Sequence, residues 1–394
     1  MASKPSVLMV TTTFLPVVGG LQFELKWILD SFDRRAADSG VDFHFAYPNE
    51  ASRAFTRFRN IPVYDLRIDG RSVVRTFRLI ARLVHLLRLI RPDIVHCHSL
   101  MPDGYCVLAA CRLAGVRSRV LATSHGHDVV WLPDIPYGSL GNWRSRLLAR
   151  VVTRRLAAHV TVSRAMAAKA ASAGTAPGLI RVIHNGVPGP GEDDFETNPG
   201  TALPSQSPSI SPPNDGINIL SLSSAREVKN VSTLIDAMAV ARDQLGDSKL
   251  YLTCSGPLAE PLKRLARRRG VADTVEFVGI VTGADKHACY RACDVFCLPS
   301  HFEAFGLVAL EAMKFGTTVV ATRQGGVGDF LEEGVNGLMF SPEDPAGLAS
   351  ALVSLYRDPE LRKRLARKGR ETAERFSIRS VVDQHIRLYR ELAV

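Results

Sequence analysis

The sequence predicts an α/β protein made of two doubly wound parallel-sheet domains. Three observations carry that reading. Short apolar runs alternate with helix-patterned segments along the whole chain, which argues for parallel sheets with helices on both faces. A Pro/Gly/Ser-rich acidic stretch interrupts the alternation near the middle, and 394 residues are enough for more than one core. The hydrophobic share of 46% and charged share of 22% are those of an ordinary globular chain, which excludes disorder, collagen and disulfide miniproteins.

In the first half the candidate strands are 7–12, 43–47, 94–98, 120–124, 159–162 and 180–183; in the second they are 217–222, 249–255, 275–278, 295–299 and 318–322. Helix-patterned stretches lie between most of them, for example 73–90, 234–244 and 307–315. So many strands exceed one sheet of comfortable size. The break is the segment 189–216, dense in Pro, Gly, Ser and acid and without apolar periodicity, which reads as a flexible linker. The expected organisation is a first domain over 1–188, a linker over 189–216, a second domain over 217–375 and a C-terminal helix within 376–394.

The chain is basic, with 49 Lys+Arg against 39 Asp+Glu and a net charge of +10, and the excess is uneven. Residues 1–188 carry +13, the linker −5 and the remainder +2, so whatever the basicity serves resides in the first half. An anionic partner follows from such an excess: nucleic acid, a membrane surface or a phosphorylated ligand. The segment 71–91 sets Arg71, Arg75, Arg78, Arg82, Arg88 and Arg91 at helical spacing beside Leu, Ile, Val and Phe, with no acid. That pattern suits a helix lying on an anionic membrane, and it equally suits an exposed helix whose apolar face packs on its own sheet. Aromatic platforms and a nucleic-acid motif are missing around it, so no nucleic acid is expected.

Seven cysteines form no Cys-x-x-Cys pair. Cys289, Cys293 and Cys297 recur every fourth residue without histidine partners, so buried thiols are expected and metal binding is not. The apolar start, 7–18, is broken by threonines and Pro16 and is followed by no clean cleavage site. No stretch of 18 apolar residues occurs, and the expected location is cytoplasmic.

In open parallel sheets, ligands bind beyond the C-terminal strand ends. After the first strand, Gly19 and Gly20 precede a helix and let the backbone approach an anion, although a plain turn needs such a pair equally. After the 120–124 strand, "SHGHD" places His125, His127 and Asp128 where a histidine can donate to a phosphate or sugar hydroxyl, or move a proton. The segment "VFCLPSHFEAFGLVALEAMKFGTTVVAT" reads strand, polar loop, helix, turn, strand, with Glu303 in the loop and Glu311 on the helix. Among Ala, Leu, Val and Met, Glu311 needs a partner, and hydroxyl pairs of a sugar or ribose suit a carboxylate. The amides of Gly306, Leu307 and Val308 lie at a helix N-terminus suited to a diphosphate. Arg226 and Lys229 follow the first strand of the second domain and suit an anionic leaving group.

These residues resemble a known family. The "EAFGLVALE" segment looks like the Glu-x7-Glu motif of the glycosyltransferase family 4 enzymes, retaining transferases of the GT-B fold. The resemblance continues through "TTTFLPVVGG", "DIVHCHSLMPDGY", "TSHGHD", "VTVSRAM", "IRVIHNGV", "REVKN", "VEFVGIV", "CDVFCLPS" and "GGVGDFLEEGVNGLMF"; only the linker and 50–90 lack a counterpart. It implies two Rossmann-like domains facing a central cleft, with the last helix returning to the first domain. It implies a nucleotide-diphosphate sugar donor in the second domain, with Glu311 on ribose hydroxyls and Glu303 on sugar hydroxyls. Amides at Phe305, Gly306, Leu307 and Val308 would hold sugar and phosphate, Lys229 the diphosphate, and 278–280, including Val278, the base. Gly19, Gly20 and His125 would close over the phosphates and the reacting sugar.

The implied reaction is transfer of a hexosyl group, with retention, to a glycan, lipid-linked or small-molecule acceptor, using no metal and no further cofactor. Ser223 and Ser224 stand where the family commonly has Gly-Arg, leaving Arg226 as the candidate second phosphate contact. The rival readings are another GT-B-fold enzyme such as a nucleotide-sugar epimerase, and a non-catalytic membrane-surface module that binds sugar nucleotides.

Overall fold

The computed structural model describes residues 4–15, 19–48, 58–67, 72–189 and 210–393. The chain divides into two compact units: Met1–Gly189 together with Ile378–Val394, and Pro190–Ser377.

The first unit contains the strands β1 (Ser6–Val10), β2 (Asp42–Tyr47), β3 (Val63–Asp65), β4 (Ile94–Cys97), β5 (Arg119–Ser124), β6 (Ala158–Thr161) and β7 (Ile180–Val182). Its helices are α1 (Gly20–Arg34), α2 (Ser72–Ile90), α3 (Tyr105–Ala114), α4 (Trp143–Thr153) and α5 (Arg164–Ser172). The strands form one parallel sheet in the order β3-β2-β1-β4-β5-β6-β7. The chain moves outward from β1 to β3 and then from β4 to β7. Because parallel crossovers share one hand, α1 covers one face and α2 to α5 the other. The C-terminal helix (Ile378–Ala393) joins α1: Tyr389 and Phe32 stack at 6.3 Å, and Arg35 donates to Asp383 at 2.6 Å. Its apolar stripe of Ile378, Val381, Val382, Ile386, Leu388 and Leu392 is buried.

The second unit contains β8 (Asn218–Ser224), β9 (Lys249–Ser255), β10 (Val275–Phe277), β11 (Val295–Leu298), β12 (Thr318–Thr322) and β13 (Leu338–Phe340). Its helices are α6 (Val231–Val240), α7 (Ala259–Arg268), α8 (Gly283–Ala292), α9 (Leu307–Lys314), α10 (Pro345–Arg357) and α11 (Pro359–Arg375). The sheet is again parallel, in the order β10-β9-β8-β11-β12-β13. Ile219, Leu250, Leu252, Val295 and Val320 fill its core against Leu234, Ile235, Leu348 and Leu352. In each sheet one adjacent strand pair, β1/β4 or β8/β11, marks where the chain reverses direction, and the loops after those pairs open a crevice.

The structure differs from the sequence reading in its edge strands and in one helix end. The sequence reading lacks the edge strands β3 and β13, and the helix read over 234–244 is Val231–Val240 followed by a separate turn. The linker read over 189–216 falls largely outside the described residues. Its final part is tied to the second unit, since Tyr356 donates to Asp215 at 2.8 Å and Asn218 to the Ser211 carbonyl at 3.0 Å. The apolar face of α2 is mostly consumed by the fold: Leu79, Leu83, Leu86 and Leu87 are buried, while Val74, Phe77 and Leu89 stay exposed.

Candidate active site

In the second unit the sheet reverses direction between β8 and β11, and the loops after both strands carry charge. After β8 a single helical turn, Glu227–Lys229, ends at Asn230, whose left-handed backbone (φ 48°) is a conformation asparagine tolerates better than most residues. That turn presents Lys229, with Arg226 exposed just before it. After β11 the loop brings Glu303 back beside it: Lys229 Nζ donates to Glu303 Oε1 at 2.6 Å, and Ser300 Oγ donates to the same oxygen at 2.6 Å. Glu303 is buried, so its carboxylate is held by one cation and one hydroxyl in a fixed orientation.

The backbone of Glu303 is clamped by the turn after β12, where Gly326 N donates to the Glu303 carbonyl at 2.7 Å. Gly325 sits there at φ +95°, and a Cβ on it would collide with that carbonyl, so only glycine fits. Phe305 is buried against Phe330 (5.2 Å) and Phe376 (5.9 Å), which anchors the entry to α9. Gly306 caps α9 at φ +100° without a side chain to occupy the amides. Among the described residues no backbone acceptor outside the helices and strands faces the amides of Gly306, Leu307 or Val308, the orphan donors of a helix start.

Glu311 faces inward from α9 and has protein partners at both oxygens. Lys286 Nζ donates to Oε1 at 2.6 Å and the Tyr290 hydroxyl to Oε2 at 3.0 Å. Burial and the neighbouring carboxylate push the Tyr290 hydroxyl well above its ordinary range, so it stays a donor. The need of this carboxylate for a partner is therefore met by α8, two residues that sequence reasoning missed, as it missed Ser300. Lys286 and Tyr290 lie at i and i+4 on α8, a spacing that could have signalled a shared face. Val278 is half-buried just past β10, its amide donating to the Leu252 carbonyl at 3.0 Å.

In the first unit, Gly19 caps α1 with extended backbone (φ −176°) and Gly20 begins the helix. No acidic side chain lies in the first turn of α1. His125 follows β5, half-buried; its Nε2 lies 3.2 Å from His98 Nδ1 and its Nδ1 lies 3.5 Å from Glu24 Oε2. Burial lowers its pKa to about 3, so the imidazole is neutral near pH 7. Beside it, Asp128 accepts from Leu100 N at 2.9 Å and from Ser124 Oγ at 2.8 Å, which makes it a brace of the loop rather than a free acid. Asp103, after β4, accepts from Thr12 Oγ1 at 2.6 Å, and burial lifts its pKa to about 6.

Cys97, Cys106, Cys111, Cys289, Cys293 and Cys297 are buried free thiols. Among the described residues no group of three or more His, Cys, Asp or Glu is arranged to hold a metal ion, and no helix is long and apolar enough to cross a membrane.

Two parallel-sheet units, each reversing direction at a central strand pair, define the class of fold, GT-B. Residues 29–188 match the family model Glycosyltransferase Family 4, and residues 204–372 match Glycosyl transferases group 1. The chain belongs to the family 4 glycosyltransferases.

It is 34% identical over 225 residues to a D-inositol 3-phosphate glycosyltransferase of Saccharomonospora viridis, covering 55% of this chain and 51% of that relative, so the match spans about half the relative's length. It is 25% identical over 392 residues to the N-acetyl-alpha-D-glucosaminyl L-malate synthase of Bacillus anthracis, covering 97% and 96%. The fold resembles that of Anabaena HepE, solved in complex with UDP and glucose, at TM-score 0.74 and 20% identity, covering 98% of this chain and 100% of that one. It also resembles a sucrose-phosphate synthase from Thermosynechococcus elongatus, at TM-score 0.78 and 19% identity, covering 98% and 99%.

Proposed function

We propose that the protein is a retaining glycosyltransferase that moves a hexosyl group from a nucleotide-diphosphate sugar to a glycan, lipid-linked or small-molecule acceptor. The observation that carries this is the Glu303 carboxylate held at 2.6 Å by Lys229 beside the start of α9. A donor diphosphate seated on the amides of Gly306, Leu307 and Val308 would take Lys229 as its counter-charge, with Arg226 as a second cation. That exchange frees Glu303 to accept from hydroxyls of the transferred sugar. Glu311 takes the ribose hydroxyls beside Lys286 and Tyr290, and Val278 flanks the base. Within the first unit, Gly19, Gly20 and His125 are the candidate substrate contacts.

Retention follows from attack on the face the diphosphate leaves, the departing phosphate oxygen taking the acceptor proton. Charge on the leaving group is met by Lys229, Arg226 and the helix terminus, so the reading requires no metal. It is supported by the family to which the chain belongs and by the solved relative that binds UDP and glucose.

Thermal shift of the full chain with UDP, GDP and ADP and their sugars tests donor binding. Stabilisation by one nucleoside diphosphate is expected, with Glu303→Gln keeping that shift while transfer and donor hydrolysis fall by about 10²–10⁴. No stabilisation by any of them, or wild-type turnover in Glu303→Gln, overturns the proposal.

The acceptor is presented, in this reading, at an anionic membrane surface. The helices α2 to α5, on one face of the first sheet, contain ten basic residues and no acid, whereas α1 on the opposite face contains Glu24, Asp30 and Asp33. On those helices Phe77 is 70% and Trp143 68% exposed, with Leu89, Leu113, Leu147 and Val151 also exposed. Apolar side chains beside arginines, on helices that carry no acid of their own, fit a bilayer of anionic lipid better than a fully polar polyanion. Sedimentation with phosphatidylglycerol vesicles at low salt should fall about fivefold for each of Arg75, Arg82 and Arg144 changed to Ser, and should fall in high salt. Equal binding to phosphatidylcholine, or unchanged binding of the triple variant, would refute it.

A further inference from the structure

Four imidazoles form a column in the first unit, three of them buried and the fourth, His125, half-buried at its end. His385 of the C-terminal helix, His96 on β4, His98 just after it and His125 after β5 follow one another with ring centroids 5.5, 4.4 and 5.4 Å apart. Burial keeps the column uncharged: it lowers His385 to about 4 and His125 to about 3, and holds His96 and His98 well below the usual histidine range.

A neutral imidazole has one N–H and one lone pair, so where two rings meet nitrogen to nitrogen one donates and the other accepts. His96 is fixed at both nitrogens, Nδ1 by the Tyr389 hydroxyl at 2.7 Å and Nε2 by Thr123 Oγ1 at 2.7 Å. His98 meets His125 through Nδ1, and its Nε2 is buried without a hydrogen-bond partner. At the other end stands Glu24 of α1, 3% exposed, whose Oε2 makes no hydrogen bond within ordinary length and lies 3.5 Å from His125 Nδ1. Burying a carboxyl among α1 side chains is costly, and the group facing this oxygen is a loop imidazole rather than a cation.

We propose that Glu24 is a positioning residue for His125: its carboxyl holds the ring by Nδ1 and leaves Nε2 as the nitrogen that exchanges its contact with His98 for one with substrate. The inference deepens the proposed function and rests on His125 serving that reaction. It makes the column a support that links the ring's orientation to His96, and through His96 to Tyr389 and His385 of the C-terminal helix.

The test combines a spectroscopic and a kinetic readout on the full chain. With ¹⁵N-labelled histidine, His125 should show one tautomer in the wild type and in Glu24→Gln, whose amide can still bond Nδ1. It should show a mixture in Glu24→Leu. For Glu24→Leu, kcat should fall about ten- to a hundredfold with little change in donor KM, and Glu24→Gln should recover part of the loss. In a His125→Gln background, Glu24→Leu should cost nothing further, because both act through one ring. Wild-type His125 signals in Glu24→Leu, or losses that add in the double variant, overturn the proposal. If no transfer is found at all, the reading of function fails, while the tautomer signals still decide whether Glu24 holds His125.

Discussion

Lowering the pH from about 7.5 to about 5.5 should destabilise the first unit, because His96, His98, His125, His159 and His385 are held neutral there by burial. His125, with a folded pKa of about 3, and His159 and His385, each about 4, all lie below the ordinary histidine value. A depressed histidine contributes stability that is fully present above its unfolded pKa of about 6.5 and is lost as pH falls toward the folded one, because only the unfolded chain takes up the proton. Between the two pH values each such histidine costs about 1.4 kcal/mol, so the three together cost about 4 kcal/mol. Asp103 works the other way: its folded pKa of about 6 means the folded state takes up a proton in this window, returning about 0.8 kcal/mol. His96 and His98 add to the loss, while Glu24 and Asp128, both raised by burial, oppose it.

The net of about 3 kcal/mol corresponds to a drop of about 6–12 °C in the melting temperature of a unit this size. All three tryptophans, Trp27, Trp131 and Trp143, lie in the first unit, so indole fluorescence follows that unit alone. His385→Phe, which removes one of these rings, should flatten the pH dependence by about 1.4 kcal/mol. A fluorescence melt unchanged or raised at the lower pH would refute the assignment of these rings as neutral and buried.

The second unit offers two further tests, read by hydrogen exchange over 210–377 because it holds no tryptophan. Lys286→Met leaves the Glu311 carboxylate buried with only Tyr290 as partner and should cost about 3–5 kcal/mol, most of it recovered when Glu311→Leu is added; a double variant as unstable as the single would contradict this. Gly325→Ala forces a Cβ into the Glu303 carbonyl at φ +95° and should cost about 1–3 kcal/mol with faster exchange at 300–305, and wild-type protection there would show that the turn accommodates a side chain.

Much of the architecture was legible because parallel strands buried on both faces leave continuous apolar runs. The runs at 94–98, 120–124, 249–255 and 318–322 coincide with β4, β5, β9 and β12 to within a residue or so. The missed strands β3 and β13 are three residues long and lie at sheet edges, where one side pairs with nothing and the pattern has no length in which to declare itself. The candidate site was legible where function and chain order coincide: glycines before a helix, a carboxylate in a loop, a lysine after a strand. It was illegible where partners come from distant segments, as with Lys286 on Glu311 or Glu24 on His125, separated by 25 and by about a hundred residues.

By itself the sequence determined the class of fold, the division into two units, the family, and the one-sided excess of basic residues in the first half. These are properties of composition, period and short motifs, which act locally along the chain. Only the tertiary structure decided which charges meet. It joins Glu303 to Lys229 and Glu311 to Lys286, stacks four histidines into one column, and spends most of the apolar face of α2 on the core. The physical reason is that a buried polar group must find a partner wherever the packed sheets bring one, and that place is fixed by strand order and crossover rather than by distance along the chain.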